Sequence, residues 1–240
     1  MILRSRTCSK AALAALALST LAAAATVTGS VQLVSPHGSS LHKHRDDSGV
    51  VVWLEPLNGA PVLPPAAHAR MLQKNKTFTP HVLAITVGTI VDFPNYDPIF
   101  HNAFSNYNGQ IFDIGLYPPG TTRAIAFRRE GIVRVFCNIH PAMSAVIVVL
   151  KTPHFAVTPK DGSFRIAGVP DGGYRLHVFH ERATDQALEA CARTISVTGD
   201  LQAPLMTVSE SGYLELPHKN KYGKDYPAVT DSGSYLGAKP

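Results

Sequence analysis

The stretch Phe136–Cys137–Asn138–Ile139–His140–Pro141–Ala142–Met143 decides how the rest of the chain is read. A cysteine, a histidine three residues on and a methionine three beyond that lie between two strand-like runs, Ile132–Phe136 and Ser144–Leu150. A loop this tight can turn a thiolate, an imidazole and a thioether toward one point. Soft sulfur donors with imidazole suit copper, whose trigonal site needs two imidazoles, one thiolate and a weak axial thioether. The loop supplies one imidazole, so the arrangement demands a second histidine from elsewhere.

His101, 36 residues upstream of Cys137, is the candidate. It lies in Ile90–Val91–Asp92–Phe93–Pro94–Asn95–Tyr96–Asp97–Pro98–Ile99–Phe100–His101–Asn102, where a strand-like run ends in an aromatic and leads to Asn-x-Asp and His-Asn. Together with Phe127, Gly131 and the Cys137–His140–Met143 loop, this pattern resembles the plastocyanin/amicyanin branch of the cupredoxins, over roughly Val27 to Leu150. The resemblance implies one mononuclear type 1 (blue) copper site. His101 and His140 would be its imidazole ligands, Cys137 the thiolate and Met143 the axial thioether. Asn102 would tie together the two ligand-bearing strands, which orients ligands and tunes a metal. His140 would be the electron exit, within a small apolar docking surface of Pro141, Ala142, Pro118 and Pro119.

Other readings use the same residues. An oxidising compartment permits a Cys137–Cys191 disulfide, although that leaves the spacing of His101, His140 and Met143 without a reason. Zinc favours His, Cys and carboxylate over a thioether. With Cys137 on a metal, Cys191 is expected as a buried small hydrophobe. Met71 and Met206 are expected in the core or in loops. His37, His42 and His44 fall in the Ser/Gly/Lys-rich segment Ser35–Ser48, either a solvated loop or a collector of transition metal. His68 and His81 have no partner at a recognisable spacing, and Met71–His81 is expected as a loop lying over one sheet.

Around the motif, short β-branched runs at Val50–Leu54, His81–Thr86, Thr89–Phe93, Thr122–Phe127, Ile132–Phe136 and Ser144–Leu150 alternate with turn residues. That spacing predicts an all-β sandwich, and the continuously apolar Ala145–Leu150 reads as a buried core strand. A second pattern, Lys160–Asp161–Gly162–Ser163–Phe164–Arg165–Ile166 and then Gly168–Val169–Pro170–Asp171–Gly172–Gly173–Tyr174–Arg175–Leu176, resembles the carboxypeptidase regulatory-like, transthyretin-type sandwich, with Asp171 between its Pro and Gly. Thr194–Thr198 and Leu205–Ser209 could complete its sheet, and Ala183–Ala192 could be a short helix. The expected organisation is a signal peptide over 1–25 and a cupredoxin Greek-key sandwich over 26–150. A smaller transthyretin-like sandwich over 151–210 and a tail over 211–240 would follow. The whole pattern resembles exported bacterial proteins of the methylamine utilisation protein-like kind.

Charge and export complete the expectation. Arg4, Arg6 and Lys10 precede the apolar run Ala11–Leu21 and the small residues Ala22–Ala25, the layout of a cleaved secretory signal, far short of the ~20 residues of a membrane span. The 240 residues carry a formal charge of +5. Removing the first 25 residues, with three basic groups and no acidic one, leaves 19 basic against 17 acidic groups, or +2. That balance gives no footprint for nucleic acid. With no open metal position for substrate, the expected role is a periplasmic electron carrier rather than an enzyme. Its partner would be a redox protein such as a c-type cytochrome or periplasmic dehydrogenase, with an envelope partner conceivable through the second module. The competing roles are copper storage, delivery or sensing, or a β-sandwich binding module with a vestigial metal site.

Overall fold

Alternation of buried and half-buried residues along Ala25–Val34 marks the first strand of a chain that is almost entirely β. The computed structural model describes residues 24–35, 46–106, 109–214 and 218–226. Nearly all of the expected signal peptide, the histidines 37, 42 and 44, and residues 215–217 and 227–240 of the expected tail lie outside the described residues. The strands β1 (Ala25–Val34) and β2 (Val51–Pro56) come first. Ten follow: β3 (His68–Arg70), β4 (Leu72–Lys74), β5 (Thr77–Thr79), β6 (Val82–Thr86), β7 (Ile90–Pro94), β8 (Phe104–Ser105), β9 (Phe112–Asp113), β10 (Thr122–Ala126), β11 (Gly131–Phe136) and β12 (Ser144–Leu150). Then come β13 (Phe155–Val157), β14 (Ser163–Val169), β15 (Gly172–Phe179), the helix α1 (Asp185–Cys191), β16 (Arg193–Val197), β17 (Leu201–Gln202) and β18 (Met206–Ser209). Thr184 caps α1 by accepting the Ala187 N–H, the usual service of a threonine before a helix. The all-β class expected from the sequence holds.

Two sheets build the unit that carries the ligand loop. One runs β6-β12-β11-β8-β9 and the other β10-β7-β3, with the β4–β5 hairpin beside them. Phe93, Phe112, Phe127, Val133, Val135, Ile147 and Val149 fill the space between, with Cys137 and Met143 in the same core. Two further sheets, β14-β1-β17 with β18 also on β1, and β13-β2-β15-β16, enclose a separate core around Val27, Val52, Leu54, Phe164, Ile166 and Leu176.

This pairing overturns the expected division at residue 150. The segment 25–56 belongs with residues 155–209, not with the ligand loop: β1 pairs β14 from Ala25↔Val169 to Ser30↔Ser163, and β2 pairs β15 from Tyr174↔Pro56 to Phe179↔Val51. Nor do residues 151–210 form a sandwich by themselves, because β14 and β15 lie in different sheets and each pairs with a strand of the N-terminal segment. The ligand-bearing unit is therefore an insertion between β2 and β13. The reason is physical: both segments are short apolar runs, and which of them pair is decided by side-chain fit over a hundred residues of separation.

The strand β12 shows how the units are joined. Ala145, Ile147 and Val149 face the ligand-side core, while Val146, Val148 and Leu150 pack with Val51 and Phe179 of the other unit. A strand's side chains alternate between faces, so burial of both faces explains the continuous apolar run. At the edge of this interface His81 Nε2 lies 2.7 Å from Glu181 Oε1 and its Nδ1 lies 3.1 Å from the Ser144 carbonyl.

Two measurements check this arrangement. Gly162 has φ +73°, and a Cβ there would overlap the Val31 carbonyl oxygen. Gly162→Ala should lower stability by more than about 1 kcal/mol in urea unfolding, which a division at residue 150 does not foresee. The His81–Glu181 clasp gives a pH signature. The hydrogen bond to Glu181 raises the His81 imidazole above 6.5. Burial pushes the Glu181 carboxyl up, but the bond and charge of His81 outweigh it and leave the carboxyl below 4.5. The His81 contribution is therefore complete below pH 6.5 and lost as pH rises through the raised value, while that of Glu181 is complete above 4.5 and lost as pH falls through the lowered one. His81→Ala should cost most between these limits, at most about 1 kcal/mol for so exposed a pair, and progressively less toward alkaline pH.

Candidate metal centre

The ligand loop is shaped by its own main chain. Cys137 follows the last residue of β11 and Met143 precedes β12. The Cys137 N–H donates to the Met143 carbonyl (3.1 Å) and the Met143 N–H to the His140 carbonyl (3.0 Å), which closes the loop at its neck. His101 arrives from the connection between β7 and β8, held by a reciprocal main-chain pair with Tyr117: His101 N–H to Tyr117 carbonyl at 3.2 Å and the reverse at 2.9 Å. Folding thereby brings residues 36 positions apart to one point. Cys137 Sγ lies 3.8 Å from His101 Nδ1 and 3.6 Å from His140 Nδ1, and one donor atom from each of the three residues lies within 4.8 Å of the others. His101, Cys137 and Met143 have no solvent exposure, and His140 is half-buried with its ring 4.8 Å from that of His101.

These distances suit a shared ion. A trigonal ion with metal–sulfur and metal–nitrogen bonds near 2.3 and 2.0 Å sets sulfur and nitrogen about 3.7 Å apart. The two measured separations bracket that length. Two imidazole nitrogens and a cysteine sulfur, with Met143 at the end of the same loop, are donors that suit copper rather than calcium or magnesium, which take oxygen. The residues present thus fit the group.

Around the donors runs a frame of hydrogen bonds. Asp97 Oδ2 is 2.7 Å from His101 Nε2, so the carboxylate turns the ring and points Nδ1 at the sulfur. Asp97 is itself gripped by the N–H groups of Asn75 (2.6 Å) and Lys76 (2.8 Å), the two residues at the β4–β5 turn. Both have positive φ, 56° and 55°, the mirror-image turn that tight hairpins prefer. Asn102 Oδ1 accepts the Asn138 N–H at 2.6 Å, joining the His101 segment to the ligand loop. Beneath, the buried Tyr117 hydroxyl lies 2.7 Å from Gln73 Oε1 and 2.9 Å from the Phe93 carbonyl, while Gln73 Nε2 donates to the Asn102 carbonyl at 3.2 Å.

The electrostatics follow from this frame. Burial by itself pushes the Cys137 thiol up, but His101, His140 and the N–H groups of Asn102 and Ile139 outweigh it and bring the thiol down to about 5. His101 shows the converse: burial works against its charged form, yet the bonds to Cys137 and Asp97 raise it above 6.5. Asp97 stays below its usual range because the N–H groups of Lys76 and Asn75 and the His101 ring overcome a burial effect of opposite sign. The surroundings of Cys137 therefore favour its thiolate form near neutral pH.

Donor atoms of His101, Cys137 and His140 are therefore brought together, Asn102 bonds to the ligand loop, and Met143 closes that loop through its main chain. Among the described residues both Cys137 and Cys191 are free, and they lie in different cores, so the disulfide alternative falls away. Cys191 is buried, its Sγ 3.2 Å from the Thr207 carbonyl, and burial raises its thiol. Met71 and Met206 are core residues, and His68 pairs with Asp92 at the surface. The expectation for Met71–His81 requires correction, since this segment is the hairpin that grips Asp97. Its signal was the Lys74–Asn75–Lys76–Thr77 turn between alternating residues. Asp97 was visible only as a neighbour of His101. A further group sequence reasoning missed is the segment 218–226, which lies across the ligand loop.

No protein-family model matches the chain. Over 60 residues, 25% of this chain, it is 38% identical to methylamine utilization protein MauL of Methylorubrum extorquens. The match covers 53% of MauL, so the chain spans about half the length of that curated relative. A purple cupredoxin of Nitrosopumilus maritimus is similar over 35% of this chain and 99% of its own, at 26% identity and a TM-score of 0.31. An oxidised amicyanin variant is similar over 41% of this chain and 99% of its own, at 16% identity and a TM-score of 0.33. A copper-containing nitrite reductase from Thermus scotoductus is similar over 40% of this chain and 25% of its own, at 28% identity and a TM-score of 0.32.

The metal-free site gives its own test. The ultraviolet absorbance of the Cys137 thiolate, with Cys137→Ser as the blank, should titrate near pH 5 rather than near 9. His101→Ala should move the midpoint upward. A midpoint near 9 in the unsubstituted protein would contradict the arrangement.

Proposed function

We propose that this chain is a cupredoxin-type, type 1 copper protein of the periplasm that carries single electrons between redox partners. The observation that carries the reading is the convergence of one donor atom each from His101, Cys137 and His140 within 4.8 Å of one another, at the loop that ends in the fully buried Met143. A copper ion bound there would supply a one-electron couple. The chain's own residues do the rest. Asp97 and Asn102 hold His101 and the ligand loop in fixed orientation, so the donors need little rearrangement when the charge changes. The core excludes water from three of the four donors. His140 is the donor nearest the surface and serves as the exit, with exposed Pro141, Ala142, Pro118 and Pro119 around it.

Four protein donors leave no open position for substrate, which supports a carrier over a catalyst. The match to a methylamine utilization protein supports a redox partner in methylamine use, and the partner proposed is a c-type cytochrome or a periplasmic dehydrogenase. The basic, apolar, small-residue N-terminus supports export, and among the described residues no helix is long and apolar enough to cross a membrane. The two-sheet unit around β2 and β15 is read as the carboxypeptidase regulatory-like sandwich, completed by the N-terminal strands.

Loading the purified protein with Cu(II) should give an intense visible thiolate-to-copper band. Cys137→Ser should abolish the band, and Met143→Leu should keep it while changing the reduction potential. Protein that stays colourless contradicts the reading, as does colour that survives Cys137→Ser. Faster loss of Cu(I) to a chelator than electron transfer to a cytochrome would move the function to copper delivery.

A further inference from the structure

The segment 218–226 returns across the ligand loop and touches it on both sides of His140. The His218 ring stacks on Phe136, centroids 4.0 Å apart and planes at 23°, and its Nε2 lies 2.7 Å from the Pro141 carbonyl. The Lys221 N–H donates to Asn138 Oδ1 at 3.0 Å, and the Tyr226 hydroxyl donates to the Cys137 carbonyl at 2.9 Å. Lys221 Nζ adds an ion pair to Asp113 Oδ2 at 2.8 Å. Nine residues thus reach the carbonyl of one donor residue, the side chain after it and the carbonyl that follows His140.

The segment is a small unit of its own. Gly223 N–H donates to the Asn220 carbonyl, Asn220 N–H to the Lys224 carbonyl, and Asn220 Oδ1 accepts from the N–H groups of Tyr222 and Lys224. Its hold on the rest is shallow. None of residues 218–226 is buried, and Tyr222–Asp225 are exposed. Among the described residues the anchors include one exposed and two part-buried hydrogen bonds, a ring stack and a surface ion pair, which contribute little each where water competes for them. A compact turn on weak anchors can lift as a piece, and its lifting uncovers the Phe136 ring and the main chain of Cys137 that it now covers.

We propose that residues 218–226 are a displaceable cap on the ligand loop, seated on the face a redox partner needs, and that partner and cap compete for it. The cap also states the chemistry of its competitor. It offers an ammonium group to Asp113 and an aromatic ring to Phe136, so a partner with a lysine-rich rim beside an exposed ring fits the vacated face. The competition part rests on the electron-carrier reading, whereas the cap itself rests on the contacts alone.

The test uses the full chain carrying His218→Ala and Tyr226→Phe, which leaves the four donors and the Asn102–Asn138 bond in place. In metal-free protein, modification of Cys137 by iodoacetamide, read peptide by peptide in the mass spectrometer, should speed up about fivefold. Modification of Cys191, in the other core, should not change. Tyr226→Phe alone, which removes one hydroxyl, should give a smaller rise in the same direction. An unchanged Cys137 rate in both variants overturns the cap. In copper-loaded protein the double variant should exchange electrons with a lysine-rich c-type cytochrome about fivefold faster, with reduction by ascorbate unchanged. Equal cytochrome rates overturn the competition. If the unsubstituted chain takes up no copper, the carrier reading fails, and the iodoacetamide rates still decide the cap.

Discussion

A sulfur atom without solvent exposure keeps a negative charge only if donors surround it, and Cys137 depends on that condition. Removing a charge from water is costly unless it is paired and hydrogen-bonded. Two imidazoles and two main-chain N–H groups meet the condition here and bring the thiol to about 5. Each imidazole must therefore be held in place. His140 is held by a loop closed at its neck, and His101 by the Tyr117 bridge and the Asp97 carboxylate. Asp97 in turn depends on a hairpin whose two turn residues take positive φ to aim their N–H groups at it. The chain of dependence runs from a surface turn to a buried sulfur through three hydrogen-bonded steps.

Packing supplies the second constraint. The loop hangs between β11 and β12, and β12 is buried on both faces because a second sandwich covers the side turned away from the site. The strand that ends the ligand loop is thereby anchored from two directions. This gives the second sandwich a structural part in the site, whatever partner it also meets.

Much of the site was legible because its logic is local. Cys137, His140 and Met143 are spaced for one tight loop, and His101 sits beside Asn102 after a strand-like run, so residue types and spacing pointed to the His101, Cys137 and His140 that folding brings together. The strands were legible for the same reason, since alternation and turn residues act over a few positions. The sheet partners were not. Nothing near Val51–Pro56 says that it pairs with Gly172–Phe179 rather than with the strands that directly follow it, and the division at residue 150 erred there. Asp97 and the Asn75–Lys76 turn escaped for a related reason: each reads as ordinary loop until folding brings them within 2.8 Å. The 218–226 segment has no hydrophobic period, and it is positioned by polar contacts that leave no pattern in sequence.

In the proposed function this frame holds one thiolate and two imidazoles around one copper ion. X-ray absorption at the copper edge of the loaded full chain tests it most directly. The expected result is a shell with one short copper–sulfur distance and two imidazole nitrogens, with the sulfur lost in Cys137→Ser. A shell of nitrogen and oxygen alone, unchanged by that substitution, would contradict it.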